Sequence, residues 1–137
     1  GAASSNTLNP VEQARLFGLM GKYQERNSAA YTATEIWQHL MASHQAFPFG
    51  SGRLKEGAPA DLVIWDLYQP DTFPFYSPIS AILYSSNSQN VKYTMVAGEF
   101  LKYNGKLKID TKTLMQEAVR LQKALLERGK GKAQVAY

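Results

Sequence analysis

Apolar residues recur with the period of an α-helix in two segments near the start of the chain. The first segment opens with Asn9, Pro10 and Glu12, which supply a capping side chain, a proline at the first helical position and a carboxylate three residues after the cap. The second opens with Thr32 and Glu35 at the spacing of a capping box. We therefore expect two helices that pack together through their apolar faces. Those faces consist of Val11, Ala14, Leu16, Phe17 and Met20 in the first helix and of Ile36, Trp37, Leu40 and Met41 in the second.

The run GSGRLKEGAPADLVIWDL, residues 50–67, predicts a short strand that is reached through tight turns. Its β-branched and aromatic residues, from Leu62 to Trp65, are typical of a half-buried strand. Gly57 can adopt the positive φ that a tight turn needs, and we expect Asp61 to accept hydrogen bonds from the amides around Gly57.

Prolines and aromatic residues dominate residues 69–78, which follow this strand. The prolines disfavour a helix and favour an extended path. Three rings, those of Phe73, Phe75 and Tyr76, would be left in water unless they contacted neighbouring surface. We therefore expect them to anchor this segment.

Three strand-like runs, VKYTMV, EFLKY and KLKI, occupy most of residues 91–109. Gly98 lies between the first two runs, and Asn104 and Gly105 separate the second from the third. Asn-Gly between such runs is a strong hairpin signal, because both central positions of the favoured turn need positive φ. The pattern predicts two hairpins in a meander.

The last pattern in the chain is an amphipathic helix. Asp110 or Thr111 is placed to cap it, and Gly129 is placed to end it. We expect the apolar stripe of this helix to dock and the opposite face to remain in water. The stripe consists of Leu114, Ala118, Leu121 and Leu125.

Composition narrows the classes of function. The 137 residues include no cysteine, which excludes a disulfide framework and a thiolate nucleophile and is typical of a cytoplasmic protein. No apolar run approaches the roughly 20 residues of a membrane helix, so we expect no membrane association. The net charge of +4 is partly concentrated in the tail RGKGK, residues 128–132. Without aromatic stacking residues, such a tail is typical of a solvated terminus, and we expect no nucleic-acid partner.

Residue types and spacing reveal no catalytic constellation. His39 and His44 are the only histidines, and a separation of five residues places them on different faces of a helix, so we expect no metal site there. Ser4 and Ser5 do not lie in a G-x-S-x-G elbow, and we expect them to make capping and loop hydrogen bonds.

Three segments, taken in order, resemble the amidohydrolase superfamily of metal-dependent hydrolases and deaminases. GAASSNTLNP at residues 1–10 is similar to the segment that follows the aspartate closing the metal site in the adenosine-type and chlorohydrolase-type branch. Residues 52–63 match the pattern G-x-x-x-x-G-x-x-A-D-L-V, which follows the catalytic barrel in the family. TMVAGEFLKYNGKLKID at residues 94–110 is most similar to the 5-methylthioadenosine and S-adenosylhomocysteine deaminases. By this resemblance, the chain begins one residue after the aspartate.

The resemblance implies an α/β fold with four parts. Residues 1–49 would be the last helical part of a (β/α)8 metal-dependent hydrolase barrel, and residues 50–109 would be the C-terminal strands of the companion β-sandwich, a composite domain. Residues 110–128 would form a C-terminal helix that packs back, and residues 129–137 a flexible basic tail.

The resemblance also implies an activity for the complete enzyme. That activity is hydrolytic deamination of an adenosine-type or related nitrogen heterocycle, a small molecule, with zinc or another divalent metal as cofactor. The chain contains none of the family's metal ligands, so we expect it to bind no metal and to be inactive alone. Ser4, Ser5 and Asn6 would lie in the loop beside the metal site and would shape it.

A chain that holds only part of a sandwich would expose strand edges and apolar side chains. We assign such a patch to Leu62, Ile64, Val96 and Phe100, and we expect it to bind the remainder of the parent enzyme or a second copy. The alternative is a self-standing, non-enzymatic binding or assembly module with sandwich-like strands. That module would use the aromatic segment from Phe73 to Tyr76 as its partner surface.

Overall fold

The computed structural model describes residues 7–45 and 52–129. These residues belong to two compact units, one that ends at Lys106 and one that begins at Leu107. The elements of the first unit, in chain order, are helices α1 (Pro10–Gln24) and α2 (Ala33–Gln45), strand β1 (Leu62–Trp65), the short helix α3 (Pro78–Ser80), a π-helical turn (Ala81–Ser85), and strands β2 (Val91–Val96) and β3 (Glu99–Tyr103). Strand β4 (Lys106–Leu107) spans the boundary, and the second unit continues with helix α4 (Thr111–Gly129).

Both predicted helix starts are confirmed. The Asn9 side chain accepts hydrogen bonds from the amides of Val11 and Glu12, at 3.2 and 3.4 Å. Thr32 and Glu35 form a reciprocal capping box, in which the Thr32 amide donates to Glu35 Oε2 at 2.7 Å and the Glu35 amide donates to Thr32 Oγ1 at 3.3 Å. Both helices therefore begin where their local sequence dictates.

The predicted packing of α1 against α2 is also confirmed. Ala14, Ile36 and Leu83 form the buried cluster, with one residue each from α1, α2 and the π-helical turn. A Cβ atom at Gly18 would lie 2.3 Å from Ile36 Cδ1, so a larger residue at this position would require the buried Ile36 side chain to move.

The prediction for the packed face of α1 was partly wrong. Its buried stripe runs through Val11, Ala14 and Gly18. Three larger side chains lie beside that stripe and are about half exposed, although the ring of one of them, Phe17, meets that of His39 on α2 edge-on. They are Leu16, Phe17 and Met20.

The four strands form one sheet in the order β1-β2-β3-β4, and the β1–β2 and β2–β3 pairs are antiparallel. The pairing register of the strands places five apolar side chains on the same side of the sheet, which we call the apolar sheet face. Its members are Leu62, Ile64, Tyr93, Met95 and Phe100. Val96 pairs with Glu99 and therefore lies on the opposite face, so the expected patch that included Val96 was wrong on this point.

Two two-residue turns connect β2 to β3 and β3 to β4. Ala97 and Gly98 have φ of 50° and 83°, and Asn104 and Gly105 have φ of 46° and 79°. Positive φ at both central positions matches the twist of the flanking strands. Both hairpins therefore lie where the sequence predicts them.

Replacing Gly105 by valine is expected to lower the free energy of unfolding by about 1 kcal/mol or more, because a β-branched residue resists positive φ. The measurement is urea unfolding followed by circular dichroism. The matched control is Gly105→Asn, since asparagine tolerates this conformation and is expected to cost less. Equal stability of the valine variant and the unmodified chain would contradict the prediction.

The sequence predicted that Asp61 accepts hydrogen bonds from the amides around Gly57. The structure gives this side chain a different partner. Its Oδ1 accepts a hydrogen bond from the Ala97 amide at 2.7 Å, and the Gly98 amide donates to the Ala60 carbonyl at 3.2 Å. The antiparallel pairing of β1 with β2 brings the start of β1 beside the β2–β3 turn, and this long-range contact replaces the local one. Gly57 itself has φ of 80° in a separate turn.

The segment after β1 differs from the extended path that its prolines suggested. The Thr72 amide donates to the Gln69 carbonyl in a turn, and Pro78 begins helix α3, where the Ser77 hydroxyl caps the Ser80 amide at 3.3 Å. Proline is favoured at the first position of a helix, a role that the sequence interpretation did not give to Pro78.

The aromatic anchors are only partly present. Phe73 stacks on Tyr68 with ring centroids 5.4 Å apart, and Phe75 contacts both of these rings edge-on. Tyr76 is fully exposed, so its assignment as an anchor was wrong.

Asp110 caps α4, as one of the two predicted alternatives. Its Oδ1 accepts from the amides of Lys112 and Thr113, both at 3.1 Å. Thr113 Oγ1 also donates to Asp110 Oδ2, and these bonds hold the pKa of Asp110 below its usual value.

Among the described residues, no helix has the length and apolarity to cross a membrane.

Candidate functional site

The residues that the sequence placed beside a metal site contribute little to the described structure. Ser4, Ser5 and Asn6 lie outside the described residues. His39 is exposed on α2, where its ring lies 6.4 Å from that of Phe17. Over residues 7–45 and 52–129, no group of three or more histidine, aspartate or glutamate side chains could hold a metal ion. This part of the chain therefore does not fit a zinc centre.

A cluster of polar side chains, which we call the polar cluster, joins the end of β1 to the start of β2, and it was not predicted from the sequence. Its members are Asp66, Gln69, Asp71, Asn87, Asn90 and Lys92. Asp66 is its first member. The carboxylate accepts from Gln69 Nε2 at 2.6 Å and from the Tyr68 amide at 3.0 Å, and Lys92 Nζ lies 3.5 Å away. The hydrogen bond from Gln69, helped by the Tyr68 amide and Lys92, holds the pKa of Asp66 below its usual value. Asp66 is therefore an ionised acceptor and is poorly suited to donate a proton.

Asn90 is the buried centre of the polar cluster, with 2% of its surface exposed. Its Oδ1 accepts from the Asn87 amide at 2.8 Å, and its Nδ2 donates to the Asp66 carbonyl at 3.2 Å and to Asp71 Oδ1 at 3.5 Å. Asn87 Nδ2 donates to the other oxygen of Asp71 at 2.8 Å. Both polar atoms of the Asn90 side chain thus have partners, and the cluster fastens two loops together.

An open cleft of about 420 Å³ lies beside the polar cluster. Its polar lining groups are largely engaged with one another in the bonds just described, and Lys92 lies beside Asp66. The lining residues are Gln69, Pro70, Asp71, Gln89, Asn90 and Lys92. The available signal in the sequence was the density of serine and asparagine in residues 85–90, which favours side-chain turns.

Arg15 fastens α1 to the π-helical turn. Its Nε donates to the Leu83 carbonyl at 2.5 Å, and its Nη2 donates to the Ser86 carbonyl at 2.6 Å. The residues are 68 and 71 positions apart in sequence, so no local pattern could reveal this contact. The charged fork therefore satisfies two carbonyls near the end of a helical segment.

The Tyr84 hydroxyl lies in the same region, close to the position that a Cβ at Gly18 would occupy. It is buried and has no hydrogen-bond partner in the described part of the chain. Burial raises the pKa of this phenol, so the group remains protonated. Taken together, the side chains named above fasten helices and loops, and the described residues contain no group of three or more ligand side chains that could hold a metal ion.

Comparison with known proteins identifies what the chain resembles. The family described as "Amidohydrolase family" matches residues 42–101. The 5-methylthioadenosine/S-adenosylhomocysteine deaminase of Caldicellulosiruptor saccharolyticus is 36% identical over 129 residues, which cover 92% of this chain and 30% of the relative. The corresponding deaminase of Thermotoga maritima is 38% identical over 127 residues, with 91% and 30% covered. The 5'-deoxyadenosine deaminase of Methanopyrus kandleri is 35% identical over 123 residues, with 86% and 28% covered.

Two solved structures also superpose on most of this chain. An adenosine deaminase from Xanthomonas campestris with bound zinc superposes with a TM-score of 0.82 at 25% identity, over 90% of this chain and 29% of that one. The atrazine chlorohydrolase TrzN from Arthrobacter aurescens, complexed with zinc, has a TM-score of 0.75 at 23% identity, over 88% of this chain and 28% of that one, which indicates shared fold alone. The chain spans about 30% of the length of the relatives that it matches.

Proposed function

Because the chain belongs to the amidohydrolase family, we propose that it is the C-terminal part of a zinc-dependent hydrolase that deaminates an adenosine-type substrate or a related nitrogen heterocycle. The observation that carries this proposal is the match of nearly the whole chain to proteins named as deaminases of adenosine derivatives. These relatives are about three times longer than the matched segment, so the proposed activity concerns a longer protein.

The division of the chain that follows from this proposal is the one expected from the sequence. Residues 1–49 would complete the helical layer of the barrel, residues 50–109 would supply sandwich strands, and residues 110–128 would form the terminal helix. The packed pair of α1 and α2, within residues 1–49, and the antiparallel sheet, whose strands lie within residues 50–109, support this division. Ser4, Ser5 and Asn6 would shape the loop beside the metal.

Zinc in the complete enzyme would be held by residues beyond those described, since these supply no ligand set. A bound zinc ion lowers the pKa of water and makes a nucleophile available near neutral pH. The part of this chain would be to hold its own segments in place: Asn9 and Thr7 fix the start of α1, and Arg15 fastens α1 to the π-helical turn. The 137-residue chain alone would then be inactive.

The proposed partner is the remainder of the parent enzyme, and the apolar sheet face is the surface that it would cover. Ile64 is 48% exposed on that face, and β1 is an edge strand of the sheet. Apolar faces and open edges of this kind are normally covered by another layer or strand. A second copy pairing through these strands is the competing occupant. A cytoplasmic location remains a prediction from the absence of cysteine.

The test is to read the coding sequence upstream of Gly1 and to express the extended protein beside the 137-residue chain. We expect the upstream frame to encode a His-x-His segment, the extended protein to hold stoichiometric zinc by elemental analysis, and ammonia to be released from 5'-methylthioadenosine, S-adenosylhomocysteine or adenosine. The short chain is expected to bind no zinc and to release no ammonia.

Three results would count against this proposal. Stoichiometric zinc or turnover in the short chain would refute its inactivity. An extended protein without a deaminase activity would refute the function, and an upstream frame that does not continue would favour the self-standing binding module.

To test whether the remainder of the parent enzyme is the partner, the upstream segment is expressed separately. It is expected to copurify with this chain and to reduce the binding of a hydrophobic dye.

A further inference from the structure

The turn between β3 and β4 contains an asparagine directly followed by a glycine, Asn104 and Gly105, and this dipeptide occurs nowhere else in the sequence. In an unstructured chain, an asparagine in this context readily loses its side-chain amide. The following glycine has no side chain and a flexible backbone, so its nitrogen can reach the asparagine side chain. Asn104 is therefore a candidate site of chemical modification.

The modification is an intramolecular acyl transfer followed by hydrolysis. The Gly105 amide loses its proton, and its nitrogen forms a bond to Cγ of Asn104. The side-chain nitrogen of Asn104 takes up a proton and leaves as ammonia, which gives a cyclic imide. Water then opens the ring at either of its carbonyls. One product is aspartate, and the other is isoaspartate, in which the main chain continues through the former side chain.

The folded hairpin engages the nitrogen that would attack. The Gly105 amide donates a hydrogen bond to the Lys92 carbonyl, on strand β2, at 2.8 Å. An amide held in such a bond loses its proton only after the bond opens. Asn104 and Gly105 also have φ of 46° and 79°. The imide ring would contain the carbonyl carbon of Asn104 and would fix its ψ, so the turn has to leave this conformation before the ring can close.

The protecting bond lies within the first unit, since both of its partners precede Leu107. It also lies at the end of the β2–β3 pair that is remote from the turn at Ala97 and Gly98. Opening of this end of the hairpin is the smallest motion that would free the Gly105 nitrogen. A further segment of protein over the turn would slow the reaction and would not remove the bond.

We propose that Asn104 is a deamidation site that reacts only when the β2–β3 hairpin opens at the Gly105–Lys92 hydrogen bond. Isoaspartate would lengthen the main chain within a two-residue turn and would prevent the hairpin from closing in its original register. Aspartate would not, because Asp-Gly is also favoured in this type of turn. Isoaspartate at this position therefore accumulates in chains whose hairpin has opened.

The first experiment incubates the full 137-residue chain in slightly alkaline buffer, with and without concentrated urea. Trypsin cleaves after Lys102 and Lys106, so the peptide of residues 103–106 reports the loss of the amide by its mass and separates the two products by its retention. The loss is expected to be at least about tenfold slower without urea. The Asn104→Asp variant is expected to show no change of mass in this peptide. Equal rates with and without urea would refute the proposal.

The second experiment compares two glycine variants of matched strain. Gly98→Val strains the turn at the other end of the hairpin, where φ is 83°, and Gly57→Val strains a separate turn, where φ is 80°. A Cβ atom would meet no neighbour within 4 Å at either position. Gly98→Val is expected to accelerate deamidation about fivefold or more, and Gly57→Val is expected to change it less. Equal acceleration would assign the opening to the whole first unit and would refute opening of the hairpin.

A measurement on the unmodified chain makes the test independent of whether these variants fold. Low concentrations of urea are expected to raise the hydrogen-exchange rate of the Gly105 amide and the deamidation rate of Asn104 by the same factor, since both require the same opening. Deamidation that stayed constant while this exchange accelerated would refute the role of the bond. None of these outcomes depends on the proposed enzymatic function.

Discussion

Replacing Leu83 by alanine is expected to lower the free energy of unfolding by about 3 kcal/mol, which is within the range for a leucine truncated in a closed core. Leu83 has no exposed surface and lies in the cluster with Ala14 and Ile36, where three elements meet. Truncation would leave a cavity that neither helix can fill without separating from the other. The change would be measured by urea unfolding followed by circular dichroism and by tryptophan fluorescence.

The control for this variant is Leu19→Ala, because Leu19 lies on α1 with 50% of its surface exposed. Its loss is expected to cost less than about 1 kcal/mol. If the two leucine variants unfolded at the same urea concentration, the buried cluster would not be the main source of stability in the first unit.

Replacing Arg15 by methionine is expected to lower the free energy of unfolding by about 2–3 kcal/mol. Methionine keeps much of the packing of the arginine stem but leaves the carbonyls of Leu83 and Ser86 without their charged donor. The measurement is again urea unfolding, together with hydrogen exchange of the amides in the π-helical turn, which should exchange faster if the turn loosens.

Two variants calibrate the arginine result. Arg15→Lys can restore one hydrogen bond but not the fork, so an intermediate loss is expected. Gln13→Met places the same side chain on the exposed side of α1 and should change stability little. A loss for Arg15→Met no greater than that for Gln13→Met would mean that the two carbonyls are satisfied by water at no cost.

Features set by neighbouring residues could be predicted from the sequence. The caps at Asn9 and Thr32 and the glycine turns at 98 and 105 depend on a few adjacent positions, and each lies where local chemistry places it. The alternation within each strand likewise identifies which residues share a face. The extra residue in β3, opposite the Thr94–Met95 step, was not visible in that alternation.

Features set by distant residues could not be predicted. Asp61 binds Ala97, 36 positions away, in preference to the nearby turn, and Asn90 meets Asp66 at a separation of 24. In each case the partner is chosen by the pairing of β1 with β2, which a local pattern does not encode. Pro78 illustrates a second difficulty, because proline interrupts a helix when it lies in the interior but is favoured at the first position of a helix, as here in α3.

The function was inferred from a different kind of evidence than the fold. No arrangement of residues in this chain indicated a catalytic centre, and the family was identified by short motifs in the correct order, which the comparisons confirmed. The polar cluster, by contrast, was found only in three dimensions, and its bonds explain its presence without any ligand.

The close approach at Gly18 also has an evolutionary consequence. The Ile36 side chain occupies the space between α1 and α2 that a side chain at position 18 would enter. A side chain gained at position 18 requires Ile36 to shift or to be replaced by a smaller residue, since close-packed interiors have little spare room. Substitutions at these two sites are therefore coupled, because a larger residue at position 18 alone crowds Ile36 and a smaller residue at position 36 alone leaves a cavity.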